Sequence, residues 1–323
     1  MREGKPDGKR TITDCGTNER PSTIYCILSV RSYARCKRYH VDVCIYDSSA
    51  GNATKDIVEE KVSQGYGNLS YRKMPEELQF WEKVKGIYVG SGYEYVWLCG
   101  DGIIVMLDKY IDVIVQEMEK KRDMIVFSSL LDGKEECIGM EITDPLVLME
   151  NCWGGLGIWG SSIVRGDLFQ SGEWDRYEKD YRSFIHLGAY FEKFAAEELN
   201  AVYIHNSFLK LNPFKKASTW VTGKKVLEVM EDYTKIVEML PERYSPVKWE
   251  YAKDVIATYL GLERLWVLRW DGNLDAALVW KHRALFRKWK ISLRKVMFIV
   301  LCPRKIADLM CTIYGSKYIL HLH

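Results

Sequence analysis

Two aspartates, Asp47 and Asp101, directly follow apolar runs that are typical of buried strands. Asp101 lies in the triplet Gly100-Asp101-Gly102, where the flanking glycines let a backbone and a bulky ligand approach closely. A carboxylate at such a point suits a hard cation, Mg²⁺ or Mn²⁺, that bridges two phosphates and neutralises a departing diphosphate. The triplet therefore predicts a metal and diphosphate site at Asp101, with a helix N-cap or turn aspartate as the alternative.

Asp47 ends its apolar run and opens a turn-forming segment that begins with Ser48. Nucleotide sites of α/β sheets place an acid near this point, where it accepts a hydrogen bond from a base or a ribose. The segment therefore predicts a nucleotide contact at Asp47 and Ser48. The alternative is an aspartate that accepts hydrogen bonds within its own turn.

Both aspartates require strands that end at one edge of a sheet. The first hundred residues alternate between strand and helix patterns, which predicts right-handed crossovers and a largely parallel sheet. Ligands of such sheets lie beyond the carboxyl ends of the strands, which is where both aspartates fall. The predicted strands are Ser22–Val30, Val41–Ser49, Leu69–Met74 and Tyr93–Cys99, and the predicted helices are Ala53–Val62 and Pro75–Ser91.

The pattern changes in the remainder of the chain, where strands become rare. The central part is predicted to contain a helix at Leu107–Lys121, a strand at Asp123–Ser129, a glycine-rich loop running into a strand at Asn151–Arg165, a helix or broken helix at Asp175–Glu198 and a strand at Asn200–Asn206. Beyond Ser218 only helices are predicted, over Thr222–Leu240, Tyr251–Leu260 and Ala276–Leu301.

Composition limits the functional classes. The chain has 323 residues and a net charge of only +2, which does not indicate a nucleic-acid partner. Its nine cysteines are scattered without a C-x-x-C pair, which favours a reduced cytoplasmic protein. The polar start of the chain does not resemble a signal peptide, and no apolar run reaches the roughly 18–20 residues of a membrane span.

The nearly neutral net charge of the whole chain includes a strongly basic segment near the C-terminal end. The segment Ala276–Ala307 has nine Lys or Arg and no Asp or Glu. Apolar residues recur in it at intervals of three and four, namely Phe286, Trp289, Leu293, Val296, Met297 and Val300. This pattern predicts a basic amphipathic helix that contacts anionic lipid peripherally through residues 281–305. The alternatives are a helix packed on its own domain and a surface for an acidic protein.

The strands and acids together resemble the GT-A glycosyltransferases of the large inverting family 2, of the type that assembles bacterial polysaccharides. The resemblance rests on TIYCILSV, VCIYDSSAGNATKDI and YVWLCGDGIIV, and it extends from Ser22 to His323. It implies a GT-A-like, Rossmann-like α/β fold with a mostly parallel sheet flanked by helices and a helical C-terminal region. It also implies a nucleotide-sugar donor, most simply a UDP-sugar, and a glycan, lipid-linked or protein acceptor.

The resemblance assigns roles to particular residues. Asp47 would contact the base, and Asp101 would bind Mn²⁺ or Mg²⁺ and the diphosphate. This sequence has one acid where the family often has more, so metal dependence stays open, with Arg31, Arg35, Lys37 and Arg38 as alternative diphosphate ligands. An inverting transfer also needs a general base, for which the candidates are Asp175, Asp180 and His186.

Aromatic faces pack on sugar C–H groups, so Trp153 is predicted to form the floor of the sugar pocket together with Gly154 and Gly155. The alternatives without a functional role are a turn for Trp153, a solvated helix face for Asp180 and a core histidine for His186. The predicted organisation is a flexible lead-in at 1–21, a nucleotide-sugar domain at 22–215 and a helical region at 216–323. Two further functions stay open, a non-catalytic scaffold derived from a transferase and a sugar nucleotidyltransferase.

Overall fold

The computed structural model describes residues 10–16, 39–90, 92–100, 102–127, 138–169, 171–196, 198–205, 209–211 and 225–319. The chain divides into two compact units, Met1–Lys215 (unit 1) and Lys216–His323 (unit 2). Unit 1 combines strands and helices, whereas the described part of unit 2 is helical.

The described strands of unit 1 are β1 (Arg10–Gly16), β2 (Val41–Asp47), β3 (Leu69–Lys73), β4 (Tyr95–Gly100), β5 (Ile103–Val105), β6 (Met124–Phe127), β7 (Ile138–Ile142), β8 (Ser162–Arg165), β9 (Ala201–His205) and β10 (Leu209–Leu211). The described helices of unit 1 are α1 (Ala53–Ser63), α2 (Phe80–Gly90), α3 (Leu107–Glu119), α4 (Pro145–Leu156), α5 (Ser171–Tyr181) and α6 (Ile185–Ala196).

Eight of these strands form one mixed sheet in the order β3-β2-β1-β4-β8-β6-β9-β7, and β5 pairs with β10 separately. The first four strands, β1 to β4, pair with one another in parallel, as the alternating sequence pattern predicts. The antiparallel pairs β4·β8, β6·β8 and β7·β9 make the other half mixed. Parallel pairing therefore governs the half of the sheet that carries the predicted site.

The centre of the sheet is apolar on both faces. Tyr95, Val96, Trp97, Leu98 and Cys99 of β4 are all at most 5% exposed, because helices and loops cover both sides of the strand. The amphipathic helix α3 packs its apolar stripe on one of these faces. A central strand that is buried on both faces requires a continuous apolar run of this kind.

The lead-in predicted for residues 1–21 is wrong in part. Arg10–Gly16 forms β1, which lies between β2 and β4 in the sheet. The β-branched triplet Thr11-Ile12-Thr13 suits a strand, although it is shorter than the apolar run at Ser22–Val30. That predicted strand lies outside the described residues.

The glycine-rich loop predicted to start at Asn151 is helical in its first part. Its first part belongs to α4, which begins with Asp144 as N-cap and Pro145 at the first helical turn. The Asp144 carboxylate accepts a hydrogen bond from the Leu146 amide at 2.9 Å, which is a strong helix start. This start outweighs the low helix propensity of Gly154 and Gly155.

Unit 2 contains the helices α7 (Val226–Met239), α8 (Lys248–Leu260), α9 (Leu262–Trp270), α10 (Ala276–Lys281), α11 (Arg283–Lys288), α12 (Leu293–Leu301) and α13 (Arg304–Ile319) among its described residues. The single amphipathic helix predicted over Ala276–Leu301 is therefore three short helices. The chain turns at Lys290, whose φ of 55° is left-handed and cannot continue a helix.

The same region corrects the predicted lipid-facing surface. Phe286, Val296 and Val300 were expected to face lipid, yet they are 0%, 0% and 5% exposed within unit 2. The Trp289 indole donates to Thr234 Oγ1 at 2.8 Å, so this residue also faces its own domain. Among the described helices, none has the length and hydropathy needed to cross a bilayer.

Two helical glycines of unit 1 allow a direct test of the packing. A Cβ on Gly188 of α6 would lie 2.3 Å from Cγ of the buried Tyr181 ring, whereas a Cβ on Gly154 of α4 would meet nothing within 4 Å. We expect Gly188→Ala to lower the free energy of unfolding by about 1–3 kcal/mol. Gly154→Ala should raise it by about 0.4–1 kcal/mol, since it stiffens the unfolded chain. Urea unfolding of both variants checks this pair, and a neutral Gly188→Ala would contradict the packing.

Candidate functional site

The carboxyl ends of three parallel strands meet at one edge of the sheet. In the register of β1, Gly16 lies beside Asp47 of β2, and Cys15 lies beside Gly100 of β4. Asp47 and Gly100 are thus two strand spacings apart, on the order of 10 Å. This edge, called here the strand-end edge, brings the neighbourhoods of both predicted aspartates together.

Asp47 is held tightly at this edge and is 2% exposed. Its Oδ1 accepts the Ser49 amide at 2.8 Å, and its Oδ2 accepts the Tyr71 hydroxyl at 2.8 Å. Burial would raise the pKa of Asp47, but these hydrogen bonds and the Lys73 ammonium, 3.6 Å from Oδ2, lower it below its usual value. The carboxylate is therefore ionised and stabilises the turn after β2, which is the alternative that the sequence left open.

Two lysines donate hydrogen bonds to the turn after β2. Lys73, at the end of β3, donates to the carbonyl oxygens of Ser49 and Gly51, the latter at 3.1 Å. Lys83 of α2 is 4% exposed, and its ammonium donates to Ser48 Oγ at 2.7 Å. The predicted ligand Ser48 is itself 1% exposed. Asp47 and Ser48 therefore act together on the backbone of the turn, with cationic groups beside it.

The other side of the edge is formed by an aromatic residue that the sequence reasoning missed. A Cβ on Gly100 would lie 3.3 Å from Cβ of Trp159, which is a tight contact, so glycine at this position gives the indole room at the end of β4. Trp159 is half-buried and is followed by Gly160, whose φ is 93°. The signal available in the sequence was a tryptophan followed by a glycine just ahead of a strand.

His186 lies directly behind Trp159. The two ring centroids are 4.0 Å apart, and His186 is 3% exposed. Its Nε2 lies 3.0 Å from the Leu156 carbonyl oxygen, so this nitrogen carries the proton, while Nδ1 is buried without a hydrogen-bond partner among the described residues. Burial lowers the pKa of His186 to about 3, which outweighs the opposite effect of the Leu156 carbonyl. His186 is therefore neutral at physiological pH and supports Trp159.

The two aspartates of α5 differ in their surroundings. Asp175 is exposed and paired with the Lys85 ammonium at 2.5 Å, and Glu178 shares the same ammonium at 2.8 Å. Asp180 is half-buried, and no hydrogen bond or ion pair to its carboxylate occurs within the described part of the chain. Of the two, only Asp180 has a carboxylate that no described cation neutralises.

Trp153 does not lie at an open pocket. It belongs to α4, is 2% exposed, and packs against Phe191 with ring centroids 4.9 Å apart. The helix turns this indole into the core, so the predicted sugar floor at Trp153 has no open face to offer. Trp159, six residues further on, is half-buried.

Asp101, the predicted metal and diphosphate ligand, lies outside the described residues. In the described ranges, no three His, Cys, Asp or Glu side chains cluster closely enough to hold a metal ion. The strand-end edge therefore brings together Asp47, Ser48 and the glycine that precedes Asp101. No described contact joins Asp180 to this group.

Comparison with solved structures identifies the fold. One similar structure is TarS residues 1–349 from S. aureus in complex with UDP-GlcNAc. The two chains are 12% identical, the alignment covers 90% of each, and the TM-score is 0.56. Another structure of the same TarS region is 11% identical, covers 95% of this chain and 92% of that one, and has a TM-score of 0.52. No family model matches the sequence, and no curated protein is detectably similar to it. The GT-A glycosyltransferase fold expected from the sequence is confirmed.

The buried imidazole of His186 should make stability depend on pH. Histidine has a pKa of about 6.5 in an unfolded chain, and the folded value is about 3. Between these values the unfolded chain binds more protons, so stability is full above pH 6.5 and decreases as the pH falls. At pH 5 this residue alone should remove about 2 kcal/mol of the free energy of unfolding.

Urea unfolding at pH 7 and pH 5 measures this effect. His186→Gln keeps a side-chain donor and should lose less stability on acidification than the wild type does. The exposed His40 supplies the matched control, since His40→Asn should follow the wild type. Equal losses in the wild type and His186→Gln would contradict a neutral, buried His186.

Proposed function

We propose that this protein is a glycosyltransferase that moves a hexose-type sugar from a UDP-sugar to an acceptor hydroxyl with inversion. The observation that carries the proposal is the strand-end edge within a GT-A fold, because α/β sheets bind ligands beyond the carboxyl ends of their strands. The TarS structure with this fold contains UDP-GlcNAc, which supports a UDP-sugar as the donor.

The donor would bind along the edge. The turn after β2 holds its shape through the carboxylate of Asp47 and the buried hydroxyl of Ser48, and its backbone would contact the base. The indole of Trp159 would pack on a C–H face of the sugar or base, in place of the buried Trp153. Asp101 follows Gly100 directly in the sequence, and we assign to it the contact with the diphosphate.

A divalent cation is compatible with this assignment. Asp101 would be the protein's ligand for Mn²⁺ or Mg²⁺, which favour carboxylate and phosphate oxygens. Bound there, the ion would supply charge neutralisation of the departing diphosphate.

The transfer is a single displacement. The acceptor hydroxyl oxygen attacks the anomeric carbon, the bond from that carbon to the diphosphate oxygen breaks, and UDP leaves with the bonding electron pair. The hydroxyl proton passes to a carboxylate, and we assign this role to Asp180, whose charge no described partner neutralises. His186 is unsuited to hold the proton because its pKa is about 3, so we assign it the positioning of Trp159.

The acceptor and the place of the reaction belong to the same proposal. The acceptor is a glycan, lipid-linked or protein hydroxyl, presented at the inner face of the plasma membrane, where the protein binds peripherally. The absence of acidic residues from Ala276 to Ala307 supports an anionic surface as the partner.

A matched pair of variants on α5 tests the chemistry. The assay is UDP release from UDP-GlcNAc with water as the acceptor, together with thermal stabilisation by UDP. Asp180→Asn should keep the UDP-dependent stabilisation and release UDP at least about 100-fold more slowly, since a general base contributes about 10²–10⁴-fold. Asp175→Asn should behave like the wild type, because Glu178 keeps the Lys85 ammonium paired.

Three other results would contradict parts of the proposal. Equal activity of Asp180→Asn and Asp175→Asn would remove Asp180 from the mechanism. The released sugar should be the β anomer when first formed, because inversion acts on an α-linked donor, and an α anomer would contradict inversion. UDP binding without any UDP release in the wild type would favour the non-catalytic scaffold.

A further inference from the structure

Unit 2 exposes a row of large apolar side chains that is distinct from the predicted lipid-facing set. The row, called here the α12–α13 face, consists of Phe298, Leu301, Ile306, Leu309 and Ile313, which are 65%, 69%, 44%, 58% and 57% exposed. Small scattered apolar exposures are normal on a protein surface. Five large exposed side chains within sixteen residues are a concentration of the kind that marks interaction sites.

Helical periodicity places these residues on the outer sides of their helices. Phe298 and Leu301 are three apart on α12, and Ile306, Leu309 and Ile313 are three and four apart on α13. The inner sides of both helices are already occupied, by the buried Val296, Ile299, Val300 and Ala307. The α12–α13 face is therefore a second apolar side on helices whose first apolar side packs in the core of unit 2.

The exposed charges on α12 and α13 are mostly positive among the described residues. Arg294, Lys295, Arg304 and Lys305 are exposed on the same two helices, and Asp308 is the exposed acid among them. The exposed apolar side chains thus lie next to four cations and one anion. Lipid headgroups that carry negative charge complement this border of cations.

A tryptophan is exposed on a helix next to α12. Helix α10 packs against α12, and its Trp280 is 61% exposed with the Arg283 guanidinium 5.0 Å from the ring centroid. Tryptophan and arginine both favour the boundary between hydrocarbon and headgroups. Apolar, aromatic and cationic groups are therefore combined on adjacent helices in the manner of interfacial membrane-binding helices.

We propose that the α12–α13 face, with its basic border and Trp280, docks the protein on an anionic lipid bilayer. The docking lies in unit 2 and does not depend on the proposed transfer reaction. The helices would lie in the headgroup region with Phe298, Leu301 and Leu309 inserted among the acyl chains, and the cations would contact lipid phosphates. This arrangement uses the side of the tail opposite to the one that the sequence pattern predicted.

Co-sedimentation of the full chain with phosphatidylcholine vesicles, with and without phosphatidylglycerol, tests the proposal. The wild type should bind the vesicles that contain phosphatidylglycerol at least about tenfold more tightly, and salt should weaken this binding. Phe298→Ser/Leu309→Ser should weaken it at least about tenfold. The control Val62→Ser/Met239→Ser changes apolar side chains that are 41% and 46% exposed elsewhere, and it should bind like the wild type.

A charge variant keeps the test decisive if the apolar variant fails to fold. Arg304→Gln/Lys305→Gln should lower the preference for phosphatidylglycerol by about tenfold or more, since each cation near an anionic surface contributes about fivefold. Absence of vesicle binding, or equal binding to both kinds of vesicle, would overturn the proposal. So would a concentration-dependent dimer that forms without vesicles and is lost in Phe298→Ser/Leu309→Ser, because a second copy would then cover the face.

Discussion

Parallel pairing of β1 with both β2 and β4 is the constraint on which the candidate site depends. This pairing sets Gly16 beside Asp47 and Cys15 beside Gly100, so the segments that follow β2 and β4 start within about 10 Å of each other. The remaining contacts of the site act on those two segments. Tyr71, Lys73 and Lys83 fix the turn after β2, and Trp159 closes over the end of β4. A one-residue slip of β1 would disturb both sides at once.

The central part of this arrangement could be predicted from sequence because its signals are local. The apolar runs of β2 and β4, the helices between them and the acids after them follow from burial and periodicity within ten to fifteen residues. The use of Arg10–Gly16 as the strand between β2 and β4 could not be predicted in the same way. Its selection depends on pairing with strands that are about thirty and eighty-five residues away, and its own sequence is only moderately strand-like.

The side-chain directions predicted for Trp153 and for the basic segment at residues 281–305 differ from the structure for a common physical reason. In both places the residue types were recognised correctly, but the direction of the side chains was decided by a local feature. The Asp144 cap starts a helix that carries Trp153 into the core, and the left-handed Lys290 divides the tail so that Phe286 and Val296 face inward. Asp47 illustrates the same limit at the site, since Tyr71 and Lys73, which occupy its carboxylate, come from a different strand.

The central claim is that the strand-end edge is a UDP-sugar site, and nucleotide-dependent thermal stability tests it most directly. UDP, GDP, dTDP and CMP are each added with and without Mn²⁺, and a ligand at 100 times its dissociation constant should stabilise the protein by roughly 2.7 kcal/mol. We expect the largest stabilisation with UDP. It should be lost in Trp159→Ala and kept in Trp280→Ala, since Trp280 is 61% exposed in unit 2. No stabilisation by any nucleotide, or a UDP effect unchanged in Trp159→Ala, would contradict it.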